Sequence, residues 1–413
     1  MKNKKILIVG NNATSYALAL KISENNEIYV TSNSNVFDGI AKNVDIRETN
    51  PKELLEFALE NGIDITIPVA EKALNSDITS IFNANNQQIF GPAKSVAEIA
   101  IDKSNAKKLL YKLRIPTPKF GIFDKENSVI DYIKKQKTPF VLKTNESNSA
   151  TILTSQDSGI KIASSCFIDK NAKLIIEDYV YGTPFSFYTI TDGYKALPFG
   201  NSLIYKHSLE GNGGQLTTGM GACTPNYKLS FENEYFIMDN VIYPTLDYFE
   251  IGGNPYVGIL GVNGIITDNN EIKILGYQPF LQDCDAANII NTIDEDILDL
   301  FEACIIGSFS DEFDNINYKD CTAVSLTLHS KMTDKKTDII SGIDEISENT
   351  IKTFFPNNIN KNKYFEYETA AGAVMTLTAL SSTPSGASKK VYDDLKEISF
   401  CGIKYRKDIC KSI

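Results

Sequence analysis

The alternation in the opening segment restricts the fold most. Lys5–Gly10 is an apolar run, Ala13–Glu24 has helical spacing, and Glu27–Ser32 is extended in type. Pro51–Asn61 is helical again and Asp64–Val69 returns to an apolar run. A helix near Glu71–Asn85 and a short strand Gln88–Phe90 continue the pattern. Apolar strands separated by helix-length crossovers argue a parallel sheet covered on both faces. Asn50 is expected to cap the second helix, with Pro51 at its first position and Glu53 reaching back to complete a capping box. Sheets of this kind hold ligands beyond the carboxyl ends of their strands. Those ends are Gly10-Asn11-Asn12 and Val69-Ala70-Glu71. No G-x-G-x-x-G follows the first strand, which argues against a nicotinamide dinucleotide site.

The chain has 413 residues, too many for one ordinary core, so about two to four domains are expected. A net charge of −11 speaks against a nucleic-acid partner, because phosphate-backbone affinity needs clustered Lys and Arg. No apolar run approaches the ~18 residues of a membrane span. The seven cysteines form no C-x-x-C pair, so cytoplasmic thiols are expected rather than a disulfide frame or a zinc site. The two histidines, His207 and His329, leave little material for His-based chemistry.

Ser95-Val96-Ala97-Glu98 is a capping-box signature expected to open one long helix to about Arg114, carrying Asp102-Lys103. Ile115-Pro116-Thr117-Pro118 stops it. A strand (Phe140–Lys143), a polar turn (Thr144–Ser149) and two further strands (Thr151–Thr154, Lys173–Val180) follow. Pro184–Asp192 and Lys195–Tyr205 continue as antiparallel strands, and Phe231–Phe249 is helical. Tyr256–Thr267 and Glu271–Tyr277 form a hairpin, and Ala286–Ile306 is helical. Near the end come strands Ala323–His329 and Val374–Leu380, helix Pro384–Ile398 and a last short strand at Gly402–Tyr405. Between Asn201 and Pro225 five glycines fall from Gly211 to Gly221, just after Lys206-His207. Glycine lets backbone N–H groups close on an anion, so a phosphate or carboxylate site competes with a mobile strand connection.

The order of several local strings resembles phosphoribosylamine–glycine ligases of the ATP-grasp superfamily. The strings are Ile6-Leu7-Ile8-Val9-Gly10-Asn11, Ile89-Phe90-Gly91-Pro92, Asp102-Lys103-Ser104 and Phe140-Val141-Leu142-Lys143. With them stand Ile175–Gly182, Thr218–Ala222, Tyr256–Leu260 and the tail Arg406-Lys407-Asp408-Ile409. The resemblance implies an N-terminal parallel α/β domain (1–100), an ATP-grasp core (101–315) and a small C-terminal α+β domain (316–413): an α/β and α+β multidomain chain. It implies ATP, glycine and phosphoribosylamine as small-molecule substrates. Lys103 and Lys143 match the family's nucleotide-contacting lysines. Glu177, Asp178 and Val180 lie in the strand-to-hinge segment that meets adenine, and Lys206 falls where the family has a substrate-side lysine.

The departures from that pattern concern phosphate and metal. The glycine-rich lid corresponds to Thr144–Ala150, without glycine or lysine. Gly276 and Gln278 replace the Glu and Asn that would face Mg²⁺, Phe280 replaces an arginine, and Thr183 an acidic ribose contact. Asn12–Tyr16 replaces a basic anchor for the ribose phosphate, and Val69-Ala70 a glycine-proline pair. Each lost electrostatic stabiliser costs about 10²–10³ in turnover. The expectation is therefore a ligase with a degraded metal and phosphate site, Mg²⁺ having no assured ligand unless Asp283 or Asp285 rebuilds one. The alternative is a non-catalytic paralogue that binds a nucleotide, a metabolite or a partner protein.

Overall fold

The computed structural model describes residues 3–145, 150–169, 172–331 and 337–411. In the first part, Lys42–Asn43, Glu27–Val30, Lys5–Val9 and Ile65–Pro68 lie side by side as a parallel sheet in that order. Ile89 adds a parallel bridge to Thr66. Ile6, Leu7, Ile8 and Val9 are all fully buried, as a strand covered on both faces requires. Helix Ala13–Ile22 starts at Asn12, whose side chain accepts Ser15 N–H while Ser15 Oγ accepts Asn12 N–H.

Helix Pro51–Asn61 forms as expected, but the capping box does not. Asn50 and Glu53 bond to each other through their side chains at 2.5 Å, and Asn50 caps no backbone N–H. The helix expected over Glu71–Asn85 is divided into Glu71–Asn75 and Ile78–Ala84, because Asp77 takes a left-handed φ of 65°. The long helix expected from Ser95 to Arg114 is likewise two helices, Lys94–Ile101 and Lys103–Lys112. Asp102 causes the break: it leaves helical geometry and turns its carboxylate onto Ser104 and Asn105 N–H, which caps the second helix.

A four-stranded antiparallel sheet follows, ordered Phe120–Phe123, Leu174–Asp178, Phe140–Thr144, Ala150–Leu153. Helices Glu126–Ile133 and Gln156–Cys166 pack on it through Val129, Ile133 and Ala163, against Phe140, Leu142, Leu174 and Ile176. The lid expected over Thr144–Ala150 falls mostly on residues 146–149, outside the described residues.

The largest element is a nine-stranded sheet. It runs from Ile272–Gln278 through Val257–Ile266, Thr183–Asp192, Ala196–Ile204 and Gly221–Thr224 to Thr322–Ser330, Gly372–Ser381 and Thr350–Phe354. Ile403–Lys404 pairs at the end of Thr322–Ser330. Gly221–Thr224 bonds to residues 323–326, so one sheet continues across the expected 315/316 division. Cys223 and Cys410 are joined as a disulfide, which corrects the expectation of free thiols throughout. The tail carrying Cys410 packs onto strand Gly221–Thr224 and brings the two Cα atoms to 5.9 Å, within bonding range. Cys166, Cys284, Cys304, Cys321 and Cys401 remain thiols. Among the described residues no helix is long and apolar enough to cross a membrane.

Candidate active site

The break at Asp102 places Lys103 on the first turn of its helix, where its ammonium reaches Thr144 O at 3.2 Å. Lys107, four residues on, lies on the same helix face and is only 1 % exposed. Its Nζ meets Glu177 Oε1 at 3.0 Å and donates to Thr117 Oγ1 at 2.8 Å; Thr117 in turn donates to Ile274 O at 2.7 Å. Lys143, from the neighbouring strand, meets Glu177 Oε2 at 2.8 Å. Glu177 is thus a buried carboxylate between two ammonium groups. Its Oε1 has no well-directed hydrogen bond, and the Lys107 charge compensates it instead.

These contacts shift the titrations. Burial pushes Lys107 down to about 8, against the attraction of Glu177. Burial, then repulsion from Lys143, brings Lys103 down to about 8, while Glu71 and Glu177 oppose that. For Glu177 burial acts upward, but Lys143 and Lys107 together hold the carboxyl below its ordinary value. Lys206 keeps some surface exposure along its length, yet burial of its amine lowers its pKa. Cys284 and Asp285 pull it upward and Lys143 repels it. Lys103, Lys143 and Lys206 therefore lie within each other's electrostatic reach, although they come from different parts of the chain.

Of the residues singled out from the sequence, Lys143 bonds to Glu177, Lys103 lies within electrostatic reach of both, and Lys206 within reach of the two lysines. Asp178 instead accepts a hydrogen bond from Gln136, and Val180 lies partly exposed just past the strand. Lys107 was missed. Its spacing from Lys103 was the available signal, but only the distant partner Glu177 distinguishes it from a solvated helix charge.

The expected metal strand offers little. A Cβ at Gly276 would meet nothing within 4 Å, so the missing carboxylate leaves room rather than a replacement. Asp283 accepts from Thr14 N at 2.8 Å and Thr14 Oγ1 at 3.0 Å, tying itself to the start of helix Ala13–Ile22. Asp285 is fully buried and accepts from Ser186 Oγ at 2.6 Å and Tyr188 OH at 3.2 Å; burial raises it to about 6. Both carboxylates are occupied by protein donors, and among the described residues no three His, Cys, Asp or Glu side chains gather to hold a metal ion. Phe280 lines an apolar crevice with Val69, Phe90, Phe199 and Leu281, where an arginine would be desolvated.

Residues 4–100 match the family model described as phosphoribosylglycinamide synthetase, N domain, and residues 101–286 match its ATP-grasp (A) domain. A phosphoribosylamine–glycine ligase of Clostridium acetobutylicum is 30% identical over 424 residues, covering 99% of this chain and 100% of its own length. One from Neisseria meningitidis serogroup B is 28% identical, covering 98% of each. The crystal structure of the Thermotoga maritima phosphoribosylamine–glycine ligase superposes with a TM-score of 0.80 at 20% identity, over 98% of this chain and 100% of that one.

Proposed function

The chain belongs to the phosphoribosylglycinamide synthetase family, and from that premise we propose that it is an ATP-dependent carbon–nitrogen ligase of purine biosynthesis with a depleted metal and phosphate site. In the proposed reaction the γ-phosphoryl group of ATP passes to the carboxylate of glycine, releasing ADP. The amine of phosphoribosylamine then attacks the acyl phosphate and phosphate leaves. The single observation that carries the reading is the gathering of cations beside the buried Glu177: Lys143 bonds to it at 2.8 Å, Lys103 feels its charge, and Lys206 lies within electrostatic reach of both lysines. Bringing two anions together requires cations fixed in advance, and phosphoryl transfer depends on positioning and charge neutralisation more than on a covalent protein group.

In this reading Lys103 and Lys143 hold the polyphosphate and the backbone of Glu177–Val180 meets the adenine. Lys206 faces the carboxylate that is phosphorylated. Glu177 does not present its carboxylate to the base; it keeps Lys143 and Lys107 in place. Gly276, Gln278 and the engaged Asp283 and Asp285 do not fit a magnesium site, so no step is assigned to the metal.

The same observations favour a second reading, a paralogue that binds nucleotide without turning it over. Glycine-dependent ADP release with freshly formed phosphoribosylamine separates the two. The ligase reading expects slow release that needs both substrates, and partial complementation of a strain lacking the ligase. ATP binding with no such release would instead favour the non-catalytic paralogue.

A further inference from the structure

Arg406 heads the large side chains that are fully buried, with 1 % exposure, and it sits in the C-terminal tail rather than in a core element. Its Nε and Nη2 donate to Asp408 Oδ1 and Oδ2 at 2.7 and 2.6 Å. Its Nη1 donates to His207 O at 3.2 Å and to Asn212 Oδ1 at 3.0 Å. The guanidinium carbon lies 4.9 Å from the centre of the Tyr205 ring. Asp408 Oδ2 also accepts Gly211 N–H at 3.0 Å. The tail therefore grips the hairpin formed by His207–Leu209 and Gly213–Leu216 at its turn and at its base.

Tyr205 and His207 are the two neighbours of Lys206. One gives its ring to the guanidinium and the other its carbonyl, so a single planar group contacts the residue on either side of the lysine. The Lys206 carbonyl is closed from the opposite strand by Thr217 N at 2.7 Å and Thr217 Oγ1 at 2.8 Å. An apolar side chain could fill the Arg406 volume. Only a rigid fork with several donors can hold a carboxylate, a carbonyl, an amide oxygen and a ring face together.

We propose that Arg406 is a positioning residue for Lys206: through its bonds to His207 O and Asn212 and its contact with Tyr205 it holds the hairpin from which the Lys206 side chain projects. This rests on the reading of Lys206 as the lysine that faces the reacting carboxylate. Arg406 itself touches no substrate.

The test uses the full chain with Arg406→Lys, which keeps the charge and loses the fork. Asp408→Asn is the second variant; it loosens the same fork from its partly exposed side and serves if Arg406→Lys does not fold. The first readout is amide hydrogen exchange over residues 205–217 without substrates. Faster exchange there, with the parallel sheet of the first hundred residues unchanged, is expected. The second readout is glycine-dependent ADP release, where kcat should fall about 10- to 100-fold while KM for ATP stays nearly constant. In a Lys206→Met background the same Arg406→Lys change should have no further effect on kcat.

Unchanged exchange over 205–217 in the folded variant overturns the proposal, and so does an equal loss of kcat with and without Lys206. If the unmodified chain releases no ADP, the ligase reading fails by itself. Hydrogen exchange, together with acylation of the Lys206 amine by an amine-reactive ester, then still decides. A changed Lys206 labelling rate in Arg406→Lys supports the positioning role, and an unchanged rate overturns it.

Discussion

Two substitutions that each break a buried salt bridge should differ sharply in cost. Lys107→Met removes an ammonium that burial brings from 10.5 down to about 8 even with Glu177 beside it. At Lys107 burial outweighs the attraction of Glu177, whereas Glu177 is held below its ordinary value by Lys143 as well as Lys107, so removing the Lys107 charge relieves a desolvation cost while Glu177 keeps a second partner. Methionine fills a similar volume, Glu177 keeps Lys143 at 2.8 Å, and Thr117 keeps its bond to Ile274 O. The expected change at pH 7 is within about 1 kcal/mol of zero. Glu177→Gln instead leaves two enclosed ammonium groups without a counter-charge and should cost about 3–5 kcal/mol. The pH profile carries the same logic. Because Lys107 has a lower pKa folded than unfolded, the unfolded chain binds more protons between about pH 8 and 10.5, and stability rises with pH by about 1.4 kcal/mol per unit for that group. Lys103 acts in the same direction, reduced by its greater solvent contact. Glu177, held below its ordinary value, contributes stability that is present above about pH 4.5 and is lost as pH falls through its folded value. Urea unfolding of wild type and both variants across the pH range checks this. A Lys107→Met cost equal to that of Glu177→Gln, or an unaltered rise above pH 8 in Lys107→Met, would refute the reasoning.

Calorimetric titration of ATP should show weak binding that changes little with Mg²⁺, since Gly276 supplies no carboxylate; a strong magnesium requirement would identify another acid at the site. Gly276→Glu with Gln278→Asn should raise glycine-dependent ADP release by roughly 10- to 100-fold without loss of thermal stability, because a side chain at 276 enters open space. Asp283→Ala should destabilise the protein by about 1–2 kcal/mol through loss of the Thr14 contacts at a helix start, with ATP affinity unchanged; a Mg²⁺-dependent fall in affinity would instead make Asp283 a metal ligand.

The strand–helix alternation of the first part was legible because buried parallel strands must be continuously apolar, and Lys5–Val9 is. The break at Asp102 was not. Ser95 and Glu98 imitate a helix start and the apolar spacing runs on, which masks the local N-cap signal of Asp102, whose carboxylate takes the Ser104 and Asn105 N–H groups. Within the site, Lys103, Lys143 and Glu177 could be named from local strings, whereas Lys107 depends on a strand far along the chain. The short strands Asp338–Ile339, Ile359–Lys361 and Tyr367–Thr369 have too few residues to show a period. The tail Arg406–Ile409 was legible as a family string, but the role of Arg406 was not, because the groups it holds lie almost 200 positions earlier.

The continuity of the large sheet limits how the chain can be divided. Strand Gly221–Thr224, which leads out of the glycine-rich hairpin, has Thr322–Ser330 as its outer neighbour. A chain ended near residue 315 would strip that neighbour away and turn an interior strand, with Gly221, Ala222, Cys223 and Thr224 all buried, into an open edge. Such an edge offers unpaired N–H and C=O groups to any passing strand, including another copy of itself. The last hundred residues cover that edge, and a chain shortened near residue 315 should be recovered as insoluble material rather than as a smaller folded unit.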